Sequence, residues 1–542
     1  MLKTKILSLQ VLALLFLSIE IFSQPMQKPK LVVGIIVDQM RFEYLYRYEA
    51  YYGKGGFNRL KNEGSNFTFA HYNYVPTYTA PGHTSVYTGT TPYYHGIIAN
   101  DIYDKFTKKK VYCVSDSSVV SIGSKDDEGQ MSPRRELSTT ITDQLKLATN
   151  GKSKVISISL KDRAAILPGG HWADAAYWYD YETGDFISSS YYLKSLPEWV
   201  SNFNKSKFAD KYLSGEWSLA KPEKDYSINA PDKSDYENDV FSEGKTTFPH
   251  SFSKIPADKK YGALESTPGG NEIVKELAKA ALINENLGKG NFTDFLAISF
   301  SSTDYVGHSF GTYSYELEDT YIRLDEQIAD LLNTLDKQVG KGNYVLFLTA
   351  DHAGLETPHY LKDRNLPTGE LNSKFKDSLK AFSARNFNNT NIVEYYINSQ
   401  IYLNHEEIRK SNLDYHAVLQ SFSDYLRNTF PQISSIFTKD ELEKKVAQRE
   451  SDNLILNGFN KVRSGDIAFT LQPGYLGSFL NMGTTHGAPY AYDTHVPVLF
   501  YGWHIPKQTV NTPVYTVDIA ATIANLLNIT EPSASMGIPL IK

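Results

Sequence analysis

Residues 32–40 read V-V-G-I-I-V-D-Q-M: six apolar or glycine positions that end abruptly on the carboxylate of Asp38. A short run with no polar face fits a strand buried on both sides, as in a parallel sheet covered by helices. The same phrase recurs at Val155–Leu160 before Lys161, Phe295–Phe300 before Asp304 and Tyr344–Leu348 before Asp351, and a fifth run, Val496–Tyr501, follows His495. Between the runs lie amphipathic segments. In Leu317–Leu335 the residues Leu317, Tyr321, Leu324, Ile328, Leu331, Leu332 and Leu335 keep a helical period. Strands alternating with helices predict an α/β fold, a mostly parallel sheet sandwiched between helices. Open sheets of this kind place their ligands beyond the carboxyl ends of the strands, where these four runs deliver ionisable groups.

Two stretches break the rhythm. Residues 170–285, rich in Tyr, Trp, Ser, Lys and Asp, and residues 365–480 read as irregular insertions that cap the sheet edge of a single domain spanning 24–542. Residues 1–23 read as a secretory signal peptide: Lys3 and Lys5 precede the apolar Val11–Ile19, and Ser23 is small. That apolar run is too short to span a bilayer. The expectation is export to a bacterial periplasm or the medium, without a stable membrane anchor.

Of 542 residues, 41% are hydrophobic and 21% charged, which excludes a disordered or collagenous chain. A formal net charge of −6 with interspersed signs offers no electrostatic reason to bind a nucleic-acid polymer. The single cysteine, Cys113, cannot form an internal disulfide, so the exported chain relies on its core. Nothing names an oligomeric partner, and a monomer is the default.

Each chemically competent residue has a plainer alternative. Asp38 is a metal ligand or a helix N-cap. Asp351-His352, between a strand and Gly354, suits a divalent metal, or else is a capping Asp beside a loop His. Asp304 and His308 fall four apart, so a helix would put both on one face to share a metal. His486, in G-T-T-H-G, gains weight only from their company. Thr79 precedes Pro81, so its hydroxyl lies at the start of a helix, as a cap or as a nucleophile that a divalent ion would activate. Lys161 and Arg163 point to one side if extended geometry persists, and two fixed cations suggest an anion. Asn100 could add a hydrogen bond. His83, His95, His171 and His495 are secondary candidates.

In this order, V-D-Q-M, Y-T-A-P-G-H, S-L-K-D-R, S-T-D-Y-V-G-H-S, T-A-D-H-A-G and T-T-H-G resemble the alkaline phosphatase superfamily, in its secreted bacterial phosphate-monoesterase branch with a threonine nucleophile. The resemblance implies an alkaline-phosphatase-like fold and two Zn2+ per chain. It implies that Asp304, His308 and His486 bind one ion, and Asp38, Asp351, His352 and the Thr79 oxygen the other. It also implies that Asn100, Lys161 and Arg163 contact the nonbridging phosphoryl oxygens of small-molecule phosphate monoesters, through a covalent phosphothreonine. Sulfatases of the superfamily carry C/S-x-P-x-R, whereas Thr79-Ala80-Pro81-Gly82-His83 lacks both the cysteine and the arginine. Charge points the same way: two divalent ions balance three aspartates and a threonine alkoxide, leaving Lys161 and Arg163 to match a monoester dianion. The alternatives are a phosphodiesterase or nucleotide pyrophosphatase on the same metal core, and a secreted metal- or phosphate-binding protein without turnover.

Overall fold

The computed structural model describes residues 28–226, 231–371, 373–444, 450–477 and 482–541; the signal segment 1–23 lies outside the described residues. Among these, an eleven-stranded sheet forms the centre, in the order Gln508–Val510, Ser65–His71, His495–Gly502, Tyr344–Thr349, Leu31–Val37, Asp294–Phe300, Val155–Ser159, Ala175–Tyr179, Phe186–Ser189, Ser121–Ile122, with Val514–Tyr515 beside Ser65–His71. Every residue of Leu31–Val37, Asp294–Phe300 and Tyr344–Thr349 is buried, as their unbroken apolar runs require. Helices such as Tyr315–Leu335 and Pro268–Asn284 bury one stripe against this core.

Register makes the strand ends meet. In the parallel ladders Val37 pairs with Phe300, Ile36 with Thr349 and Ser299 with Ser159, so these strands finish level. The residues that follow, Asp38, Asp304, Asp351 and Lys161, therefore emerge on one edge. The fifth run is antiparallel to Tyr344–Thr349. Its beginning thus lies at that same edge, and so the histidine brought there, His486, precedes the strand instead of following it. Ser65–His71 is antiparallel in turn, with His71 opposite His495, and so it also ends at this edge before the segment carrying Thr79.

The stretch 170–285 is not wholly an insertion. Ala175–Tyr179 pairs in parallel with Val155–Ser159, Phe186–Ser189 continues the sheet, and Pro268–Asn284 packs on its face. All five side chains of Ala175–Tyr179 are buried, which erases the alternation that would have marked a strand. The strands Val393–Ile397, Gln400–Leu403, Ile467–Leu471 and Ile433–Thr438, by contrast, form an antiparallel sheet of their own in that order. A separate core that includes Leu379, Phe422, Leu426 and Phe469 holds it. The helix Tyr415–Thr429 contributes Val418, Leu419, Phe422 and Leu426 to that core, one face at helical spacing.

Candidate active site

Asp38, Asp351 and His352 converge where the two central strands stop, and all three are fully buried. His352 Nε2 lies 3.5 Å from Asp38 Oδ1 and 3.5 Å from Asp351 Oδ2. The three atoms have no hydrogen-bond partner. His352 Nδ1 sits 2.9 Å from the Ala353 carbonyl, which makes Nδ1 the donor and leaves Nε2 as a lone pair. None of these residues caps a helix: the next helix after Asp38 is preceded by Glu43, and the next after Asp351 by Thr357.

A second triad forms from Asp304, His308 and His486. The chain turns into the helix Ser302–Phe310, and the four-residue spacing brings His308 Nε2 to 3.1 Å from Asp304 Oδ1. His486 Nε2 lies 3.8 Å from the same oxygen. Again the Nδ1 atoms face backbone carbonyls, Thr484 at 2.7 Å for His308 and Thr77 at 2.6 Å for His486, so Nε2 is the nitrogen that each ring turns toward Asp304. In each triad the ligand-type atoms lie within 4.8 Å of one another. The rings of His352 and His486 stack with centroids 3.5 Å apart, so the triads are adjacent.

Two residues bridge them. Lys161 Nζ donates to Asp38 Oδ2 at 2.7 Å and to Asp304 Oδ2 at 2.5 Å. Gln39 donates its backbone N–H to Asp351 Oδ1 at 3.1 Å and its amide to Asp304 Oδ1 at 2.6 Å. It does so from a left-handed backbone at φ 61°. Gly307 makes room, since a Cβ there would lie 2.1 Å from Gln39 Oε1.

Burial, and then the charges of Asp304 and Asp351, push the Asp38 carboxyl well above its usual range. Burial would raise Asp304 too, but His308 and Lys161 hold it well below. Burial and the neighbouring His352 keep His486 well below the ordinary imidazole value, as a neutral ligand must be. Of three buried carboxylates Lys161 bonds two, and in the first triad orphaned oxygen and nitrogen atoms point at one another. That donor set fits two divalent cations, one in each triad.

Thr79 opens a fully buried helix, Thr79–Thr88, whose N-cap is Tyr78. Thr79 is thus the first helical residue and not its cap. Its neighbours tie it to both triads. The Thr77 carbonyl meets His486, the Thr79 carbonyl accepts from His83 Nδ1 at 2.9 Å, and the same nitrogen is 3.4 Å from Asp351 Oδ2. Gly82 lets the helix press on Asp351, for a Cβ would stand 2.3 Å from the Asp351 carbonyl. Asn100 accepts from the Ala80 N–H at 2.9 Å, beside Thr79.

Extended geometry does not persist after Ser159. Lys161 caps the helix Asp162–Gly169 and Arg163 lies inside it, because the strand stops and the chain turns over the sheet. Both cations nevertheless line one cavity of about 310 Å³ with Tyr112, Tyr181 and Tyr305. Arg163 Nη1 donates to the Tyr112 hydroxyl at 3.0 Å, and its buried Nε has no partner. Of the secondary histidines, only His83 reaches the site. His495 stacks on Phe42 and His71, His95 bonds Ser85, and His171 bonds Asp143. Gln39 and Tyr112 escaped the sequence reading. Gln39 was visible inside V-D-Q-M but carried no charge to mark it.

The family model described as type I phosphodiesterase / nucleotide pyrophosphatase matches residues 32–488. Alkaline phosphatase PhoV of Synechococcus elongatus is 45% identical over 520 residues, 95% of this chain and 93% of its own. Alkaline phosphatase PafA of Elizabethkingia meningoseptica is 42% identical over 517 residues, 95% of this chain and 94% of its own. A crystal structure of wild-type alkaline phosphatase PafA aligns at a TM-score of 0.92 and 41% identity, covering 95% of this chain and 99% of that one. With paired triads at the strand ends and likeness along nearly its whole length, the chain belongs to the type I phosphodiesterase / nucleotide pyrophosphatase family, within its bacterial alkaline phosphatases.

Proposed function

We propose that this site hydrolyses phosphate monoesters through Thr79, and that Asp304, His308 and His486 hold one zinc ion while Asp38, Asp351, His352 and the Thr79 oxygen hold the other. The observation that carries the reading is the opening of the Thr79 helix between two adjacent triads of imidazoles and carboxylates. Divalent cations held there would supply Lewis acidity, easing loss of the threonine proton and the departure of a poor leaving group. Thr79 Oγ1 bonds to phosphorus as the bond from phosphorus to the ester oxygen breaks, and the hydroxyl proton ends on the released alcohol. Water then cleaves the Oγ1–phosphorus bond and returns inorganic phosphate and free Thr79. Lys161, Arg163 and Asn100 hold the nonbridging oxygens. Two cations match a dianionic monoester better than a diester, which carries one charge fewer and a second organic group.

Imidazole and carboxylate ligands favour zinc. The signal-like residues 1–23 support export to the periplasm or medium of a bacterium. Among the described residues no helix is long and apolar enough to cross a membrane. Acid quenching during turnover of phenyl phosphate, followed by peptide mass spectrometry, should find phosphate on Thr79. Full activity with no labelled Thr79 would refute the covalent route. Arg163→Ala should cost phenyl phosphate more than methyl phenyl phosphate, and equal losses would favour the diesterase reading that the family model's description raises.

A further inference from the structure

The site has two unlike sides. On one lies the cavity walled by Lys161 and Arg163; on the other, a cleft of about 300 Å³ opens between the central sandwich and the smaller antiparallel sheet. His486 and Tyr78 form its floor, and Leu355, Tyr396, Phe469 and Thr470 line it. Among the described residues no lysine or arginine faces this cleft. Its one carboxylate is already engaged, since Asp493 Oδ2 accepts the N–H groups of Gly487 at 2.8 Å and Ala488 at 2.6 Å. An anionic phosphoryl group has no counter-charge there, whereas an uncharged aromatic group meets apolar and ring surface. The volume stands at the lower end of small-molecule pockets, enough for one or two fused rings.

The wall is fixed in place. The hairpin Val393–Ile397 and Gln400–Leu403 turns through Asn398 at φ 53° and Ser399 at φ 56°, the pair of left-handed residues that a two-residue turn requires. Asn398 Nδ2 donates to the Asp101 carbonyl at 2.8 Å, which locks the hairpin to the residue after Asn100.

We infer that this cleft receives the organic group of the ester, and that Tyr396, with Phe469 packed parallel to it at 6.1 Å, selects aromatic leaving groups over small aliphatic ones. The inference rests on the monoesterase reading above. The test compares kcat/KM for 2-phenylethyl phosphate and ethyl phosphate, whose alcohols are of similar acidity, so that the ratio reports contact and not leaving-group chemistry. In the wild-type enzyme the ratio should favour phenylethyl by about tenfold or more. Tyr396→Ala should bring it close to one. Tyr396 also touches the core of the smaller sheet, so Thr470→Trp serves as a second variant. It adds bulk on the half-buried cleft face and leaves that core intact. It should depress phenylethyl phosphate selectively. A wild-type ratio near one, or variants that lose both esters equally, would overturn the inference. Failure of the wild-type enzyme to hydrolyse either ester would instead sink the monoesterase reading and take this inference with it.

Discussion

The two triads touch through a pair of stacked histidines, yet they stand in different environments. Asp38, Asp351 and His352 are sealed from water, and an oxygen or nitrogen of each is left unpartnered. In the other triad the His308 side chain is 34% exposed, and His308 pairs with Asp304 at 3.1 Å. Like ligands therefore face unlike costs. In the open triad water and a salt bridge stand in when no cation is present. In the closed one only a cation satisfies the buried atoms, so metal binding there is also a contribution to folding.

The largest expected effect follows directly. Asp351→Asn and His352→Ala should lose activity on phenyl phosphate by at least about a hundredfold, and should lose most of the rise in Tm expected when zinc is added to the wild-type chain. His308→Ala should lower zinc affinity by about 10- to 100-fold but regain much of its rate at excess zinc. Rate and Tm measured against free zinc concentration distinguish the two patterns. Identical titration curves for the closed-triad and open-triad variants would erase the contrast.

Removal of metal should reverse the sign at two aspartates. Burial and like charge push Asp38 well above its usual value, so in the chelated chain its charge is a liability at pH 7. Asp304 is held well below its usual value against burial by His308 and Lys161, so its charge stabilises above the unfolded value and that contribution fades as pH falls through the folded one. With chelator present, Asp38→Asn should raise Tm and Asp304→Asn should lower it, each by a few degrees. With zinc restored, both variants should be less stable than the wild type. A drop for Asp38→Asn in chelator would show that Lys161 alone meets the demand of that carboxylate.

Gln39 couples the triads, and its loss should act on both at lower amplitude. Gln39→Ala removes the amide and keeps the left-handed strain of about 1–2 kcal/mol that glutamine already bears at φ 61°, whereas Gln39→Gly removes the amide and relieves that strain. Both should reduce kcat/KM by up to about tenfold, with Gly keeping the higher Tm of the two. Unchanged zinc affinity in both variants would show that the amide bridge is a packing contact.

The strand ends were legible because fully buried parallel strands leave unbroken apolar runs, and the ligand types stood immediately after them. Val32–Val37, Phe295–Phe300 and Tyr344–Leu348 were readable for that reason, and the i,i+4 spacing of Asp304 and His308 told what a helix there would bring together. The sheet's outer strands were not. Ala175–Tyr179 is buried along its whole length but built of Ala, Tyr and Trp, so neither alternation nor a Val/Ile run marks it. The direction of Val496–Tyr501 depends on which neighbour it pairs with, a tertiary fact that periodicity does not encode. Lys161 and Arg163 reach one cavity through a strand-to-helix turn, so the grouping was foreseeable and the geometry was not. Gln39 and Tyr112 are uncharged side chains whose hydrogen-bond partners lie hundreds of positions away for Gln39 and about fifty for Tyr112.

The narrowest effect, confined to the chelated chain and to one pH window, concerns a group near Lys161. Burial pushes the Glu265 carboxyl up to about 7 from 4.5, with Lys161 and hydrogen bonds from Tyr305 and Tyr181 restraining the rise. Below the unfolded value both states are protonated and Glu265 costs nothing. As pH climbs from 4.5 toward 7 the unfolded chain ionises first, so folded stability is lost across that window and the deficit persists above it. Glu265→Gln has no such proton to lose. In the chelated chain its stability relative to wild type should therefore improve between pH 5 and pH 8, toward a ceiling on the order of 3 kcal/mol, read from urea midpoints at both values. Zinc in the triads would bring positive charge close to Glu265, lower its pKa and shrink that gain. A gain of equal size with and without zinc would mean that Glu265 does not feel the triads through Lys161, and a difference independent of pH would mean that the carboxyl does not titrate in this window.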